Sequence, residues 1–104
     1  MLQLKPGVRL AGISPEIAVA INIAHSVWME ELKSVPMVLT SITDGRHSVG
    51  SLHYTGQAFD VRIRNIPRGN EWMDVLTKRL KGALGDDFDV VLESDHYHIE
   101  HDPK

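Results

Sequence analysis

Apolar residues in the first third of the chain recur at helical spacing: Ile17, Ile21, Ala24, Trp28 and Leu32 follow one another at steps of three and four. Ser14-Pro15-Glu16 stands just before them as a start signal. Serine can accept from the free amides of a first turn, proline fits that turn, and glutamate favours the positive end of the helix dipole. The pattern predicts one helix ending near Lys33, ahead of Pro36. Residues 1–13 carry no comparable period and read as a loose arm or short strand lying over the domain. After Pro36 the period shortens. Met37 to Ile42 is rich in β-branched residues and reads as a strand, and Thr43 to Gly50, with Asp44-Gly45 and Ser48-Val49-Gly50, reads as a loop. Ala58 to Arg64 alternates, with Phe59, Val61 and Ile63 on one side and Ala58, Asp60, Arg62 and Arg64 on the other. Pro67-Arg68-Gly69 turns the chain, and Asn70 can cap a second helix. Its expected stripe is Trp72, Leu76, Leu80 and Ala83, and Gly85 is its stop. Two short strands follow, Phe88 to Leu92 and His96 to Glu100, separated by Glu93-Ser94-Asp95.

This order of elements predicts an α+β domain: a small antiparallel or mixed sheet, two helices packed on one face, and the other face left to carry a site. A chain of 104 residues is one domain's worth, residues 1–104, with residues 1–13 as its arm. Eleven Lys and Arg against 14 Asp and Glu leave a formal charge of −3, the wrong sign for a protein that lives on nucleic-acid phosphates or anionic lipid. The longest weakly polar stretch, Ile17 to Met29, is interrupted by Asn22 and His25 and is too short to span a bilayer, so no membrane insertion is expected. The opening Met-Leu-Gln-Leu-Lys-Pro-Gly has no apolar h-region or small-residue cleavage site, and the expectation is a product made in the cytoplasm without a signal peptide. No feature of the pattern specifies an oligomeric state. Cysteine is absent, which excludes disulfides, thiolate nucleophiles and cysteine-built metal centres. Any metal would be held by His, Asp or Glu, and the six histidines are the one compositional oddity.

The segments with chemical content are Ser51-Leu-His53-Tyr-Thr-Gly56-Gln-Ala58-Phe-Asp60 and Glu93-Ser-Asp95-His96-Tyr-His98-Ile-Glu100. Period-two alternation puts Asp60 opposite Phe59 and Val61, and puts His96, His98 and Glu100 opposite Tyr97 and Ile99. If the apolar sides face the helices, Asp60, His96 and His98 project from the same open face. His53 enters from the loop before the Asp60 strand, and Gly56 lets the backbone turn between them. Two imidazoles and one carboxylate leave one coordination position open, the pattern of a catalytic zinc, and a nearby carboxylate would take a proton from water. Asp95 lies three residues before His98, and Glu93 five before it. On spacing alone two readings stay open: a metal site, or solvated histidines with Asp60 paired to Arg62 or Arg64. His25, His47 and His101 read as ordinary surface side chains.

The pattern Ser-x-His-x-x-Gly-x-Ala-x-Asp, followed about forty residues on by Asp-x-x-His-x-Glu, resembles the zinc D,D/L,D-peptidases of the D-alanyl-D-alanine carboxypeptidase type. That family includes phage L-alanyl-D-glutamate endolysins and D-alanyl-D-alanine dipeptidases, and it shares a fold with the Hedgehog signalling domain. The resemblance runs from Thr40 to Glu100. It implies zinc ligands at His53, Asp60 and His98 and a general base at Asp95, with Glu93 in reserve. It also implies a transition-state partner at His96, a carboxylate- or oxyanion-holding arginine at Arg46, and a substrate-contacting Ser51.

The expected activity is that of a zinc metallopeptidase hydrolysing peptide bonds in peptidoglycan stem peptides, the lysis chemistry that a phage or prophage endolysin performs on a bacterial host's cell wall. A D-alanyl-D-alanine carboxypeptidase or dipeptidase is the neighbouring alternative, and a zinc-binding virion or structural domain without turnover belongs to another class. Shared fold alone does not choose among them.

Overall fold

The computed structural model describes residues 1–42, 56–66 and 70–103. Seven elements follow in chain order: β1 (Leu2–Leu4), α1 (Pro15–Glu31), β2 (Met37–Ser41), β3 (Ala58–Arg62), α2 (Asn70–Leu84), β4 (Phe88–Leu92) and β5 (His96–His101). They form a small α+β domain with a mixed five-stranded sheet in the order β1-β2-β3-β5-β4. β1 runs parallel to β2, and the remaining pairs are antiparallel.

Helix α1 begins where its cap predicts. The Ser14 hydroxyl accepts from the Ile17 amide at 3.1 Å, and Pro15 occupies the first turn. Ile17, Ile21, Ala24, Trp28 and Leu32 are all buried, joined by Ala20 and Val27, so the helix presents a broad apolar face. Trp28 is fully enclosed, and its indole N–H donates to the Val35 carbonyl at 2.8 Å, which fixes the exit from the helix.

Helix α2 is rotated relative to its expected stripe. Met73, Leu76, Leu80 and Leu84 are buried, Trp72 is half-buried, and Ala83 is exposed. The helix meets α1 and β4 at once, and this seat selects a face one position away from the one that tryptophan suggests. Arg79 ties the helices together outside the core, donating to Glu31 at 2.7 Å and Glu30 at 2.8 Å. Gly85, at φ 86°, ends α2 by donating its amide to the Lys81 carbonyl at 3.0 Å.

Both helices cover the sheet face made by Leu39, Phe59, Val61, Val90, Tyr97 and Ile99. Tyr97 is completely buried, and its phenol is satisfied by the Thr77 hydroxyl at 2.6 Å. The opposite face carries Asp60, Arg62, His96, His98 and Glu100, as the alternation of β3 and β5 requires. The expected arm is in part a true strand. The Met37 amide donates to the Met1 carbonyl and the Lys5 amide to the Leu39 carbonyl, each at 2.9 Å, so residues 2–4 form one edge of the sheet. Between β2 and β3 the register slips, with Leu39 opposite Val61 but Ser41 opposite Asp60. The extra residue in this bulge is Thr40, and bulges of this kind redirect side chains next to sites.

Gly56 joins the N-terminal region to the entry of β3. It has φ 73°, its carbonyl accepts from the Ser14 amide at 3.1 Å, and a Cβ there would lie 2.1 Å from the Gly12 carbonyl oxygen. The glycine is required twice, by its left-handed backbone and by the close approach of a second chain segment.

Candidate metal centre

Asp60 and His98 are directly opposed in the β3–β5 ladder. Asp60 Oδ1 and His98 Nδ1 are 3.1 Å apart, and on the far side of the ring His98 Nε2 lies 2.9 Å from Glu100 Oε1. Both ring nitrogens therefore face a carboxylate, which suits an imidazolium donating in both directions. The hydrogen bond to Asp60 is the main cause holding His98 above the usual histidine range. Burial acts against it, and Glu100 adds to it. Asp60 is itself a buried carboxylate at 9% exposure.

His96 lies two residues before His98 on the same face, with a different set of neighbours. Its Nδ1 contacts Asp95 Oδ1 at 2.5 Å, and its Nε2 is 3.3 Å from Glu93 Oε2 and 3.8 Å from Asp60 Oδ1. The turn that presents these acids is closed by the Glu93 amide donating to the His96 carbonyl at 2.9 Å. The contact with His96 holds Asp95 below the usual carboxylate range, and the charge of Asp60 works in the opposite direction. Asp60, Glu93, Asp95, His96 and His98 thus form one continuous set of side chains.

The donor chemistry of the Asp60–His98 pair fits a divalent metal. Two ligands at 2.0–2.2 Å from one tetrahedral ion stand about 3.4 Å apart, close to the separation of these atoms. Metal on Nδ1 would leave Nε2–H donating to Glu100, the second hydrogen bond by which metal-bound histidines are commonly oriented. Glu100 is the residue that the sequence motif does not assign a role. Its signals are its place two residues beyond His98 on the same strand face and its position as the last residue of the Asp-x-x-His-x-Glu pattern.

His53, Arg46 and Ser51 lie outside the described residues, as does His47. Of the other histidines, His25 has a buried Nε2 with no hydrogen-bond partner among the described residues, and burial pushes its imidazole down. His101 is more than a surface side chain: its ring packs on Phe88 at 4.9 Å between centroids, and Nδ1 meets Gln57 Oε1 at 3.2 Å.

A second group was not expected from the sequence. Asp89, Glu100 and Asp102 each offer an oxygen, all within 4.8 Å of one another, and could hold a metal ion. Asp89 and Glu100 are opposed across β4 and β5. This all-oxygen set suits a hard cation, in contrast to the mixed nitrogen and oxygen set at His98.

No protein-family model matches the chain, and no curated protein matches it. Among the described residues, no helix is long and apolar enough to cross a membrane.

Proposed function

We propose that the chain is a zinc metallopeptidase acting on the stem peptides of peptidoglycan, in the manner of a phage or prophage endolysin. The observation that carries the reading is the Asp60–His98 pair, two donors 3.1 Å apart with the histidine's other nitrogen on Glu100. Asp60 and His98 are two of the three zinc ligands implied by the resemblance, and His53 is the third. Zinc held by this set would supply a Lewis acid to polarise a carbonyl and acidify water.

The protein's own residues supply the rest. Asp95 accepts a proton from the attacking water and returns it to the leaving amine nitrogen, with Glu93 as the alternative carboxylate. Both stand against His96, so a proton taken by either has an imidazole within reach. His96 and Arg46 stabilise negative charge on the tetrahedral intermediate, and Ser51 contacts the substrate. His98 is kept in orientation by Glu100.

Digestion of purified sacculi, with mass analysis of the released peptides, tests this reading. Release at the L-alanyl-D-glutamate bond is the expected result. Release of terminal D-alanine would assign a carboxypeptidase or dipeptidase instead. Stoichiometric zinc with no released peptide would assign a non-catalytic zinc-binding domain.

A further inference from the structure

The open face of the sheet is electrically asymmetric along the strands. At the end where Ala58 opposes Glu100, the face carries Asp89, Glu100 and Asp102. At the other end Arg62 opposes His96, and a groove of about 300 Å³ is lined by Lys5, Thr40, Arg62, Arg64, Asp95 and His96. The two ends are four residues apart on β5, about 13 Å at the rise of a strand.

Three of the chain's 11 Lys and Arg converge on this groove, although the net charge is −3. They arrive from separate elements, each fixed by its backbone. Lys5 is held beside β2 by its amide bond to Leu39. Arg62 belongs to β3. Arg64 sits in the following turn, which is tied by the Ile63 amide to the Asp95 carbonyl at 3.4 Å and by the Asn65 side-chain amide to the Pro36 carbonyl at 2.9 Å. Among the described residues none of the three forms an ion pair, whereas Arg79 on α2 forms two. Asp95, the one acid among the described residues lining the groove, is already engaged by His96. Gathering three like charges without a partner is unfavourable, and a bound anion relieves it.

The geometry points to this groove as a subsite for a substrate carboxylate, placed directly beside His96 and Asp95. The ligand class is a peptide bearing a free carboxylate close to the bond that is cut. Guanidinium groups match carboxylates with paired hydrogen bonds, and a ligand carboxylate here lies next to the side chains proposed to move protons. This assignment rests on the peptidase reading for its substrate. It specifies which way a peptide lies on the face: carboxylate toward Arg62 and Arg64, and any cationic portion toward Asp89 and Glu100.

The test uses the stem tripeptide L-Ala-γ-D-Glu-L-Lys in three forms: free acid, D-Glu α-amide and C-terminal amide. Binding to the zinc-loaded protein is followed by chemical-shift titration, and hydrolysis is followed in parallel. One of the two amidations is expected to weaken binding by about tenfold or more, the worth of a charge-assisted hydrogen bond. The difference should disappear in Arg62→Gln/Arg64→Gln and shrink in Lys5→Gln/Arg64→Gln, the latter pair being exposed and safe for folding. Equal binding of all three forms, or discrimination that survives both variants, overturns the subsite. Displacement of the tripeptide by inorganic phosphate or a short oligonucleotide at equal concentration also overturns it, in favour of a general anion site. Discrimination in binding without hydrolysis keeps the subsite and removes the peptidase reading. Hydrolysis that ignores both amidations does the reverse.

Discussion

His98 stands between two carboxylates of different kinds: Asp60, across the ladder at 3.1 Å, and Glu100, on its own strand at 2.9 Å. The metal-free ring is clamped from both sides, and the bond to Asp60, first among the causes, holds its pKa above the usual histidine range. In the proposed zinc site, a metal on Nδ1 would take the place of a proton facing Asp60 and leave the bond to Glu100 intact. Proton and metal would then compete for one atom, which makes the proposal measurable.

Metal content is the most direct consequence. The protein should hold one zinc after mild dialysis, and Asp60→Ala, His98→Ala and His53→Ala should each lose it by elemental analysis. Asp89→Asn/Asp102→Asn should leave that zinc in place, since neither residue is one of the three proposed ligands, although both gather around Glu100. Full zinc retention in Asp60→Ala/His98→Ala would sink the assignment.

The pH dependence follows from His98. Its folded pKa is raised, first by Asp60. In the metal-free protein its contribution to stability is complete below the unfolded value near 6.5 and is lost as pH rises through the folded value. His25, pushed down by burial, acts in the other direction: its contribution is present above about 6.5 and is lost as pH falls through its folded value. Thermal unfolding of chelator-treated protein against pH should separate the two, with His98→Gln flattening only the upper limb. Zinc addition in weak buffer below the His98 pKa should release a proton, read by a pH indicator. A wild-type upper limb in His98→Gln would remove the histidine as its cause.

The two candidate bases can be told apart. Asp95→Asn should retain metal and lose roughly 10²–10⁴-fold in cleavage of peptidoglycan, the usual worth of a general base. Glu93→Gln should lose much less. Since Asp95 is held low by His96, a dead Glu93→Gln beside an active Asp95→Asn would transfer the role to Glu93. If both variants cleave at the wild-type rate, neither carboxylate moves the proton.

Gly56→Ala probes the junction between the N-terminal segment and β3. The added methyl meets the Gly12 carbonyl oxygen from a left-handed backbone, so a loss of about 2 kcal/mol or more is expected in urea unfolding. Gly82→Ala, in the open on α2, should be neutral or slightly stabilising. An unaffected midpoint for Gly56→Ala would mean that the two segments separate at little cost.

The sequence was most legible where one physical signal acted alone. Ser14-Pro15 started α1 as its chemistry requires, and period two put His96 and His98 on one side of their strand and Asp60 opposite the apolar side of its own, so that burying both apolar sides under the helices brings the three to one face. It was less legible where neighbours decide. Ala83 fits the helical period of α2 but is exposed, since the helix is turned toward α1 and β4 by Met73 and Leu84. Cross-strand register has no local signature, so the Asp60–His98 pairing, the gathering of Asp89 with Glu100, and the arrival of Lys5 beside Arg62 could not be read from the chain. His53, Arg46 and Ser51 keep the roles that the resemblance gives them, as proposals.

The parallel edge strand β1 has a consequence for handling the protein. Met37, Val38 and Leu39 of β2 are all buried, and β1 occupies the hydrogen-bonding side that β3 leaves open. Peeling residues 2–4 away would bare a short apolar strand edge with unpaired amides and carbonyls, a template for the same strand of another molecule. A bulky N-terminal fusion or proteolytic trimming of the first residues would then favour strand-exchanged dimers or aggregates, detectable by light scattering before any loss of helical signal. The same event would carry Lys5 out of the basic groove, so self-association and weakened anion binding would appear together.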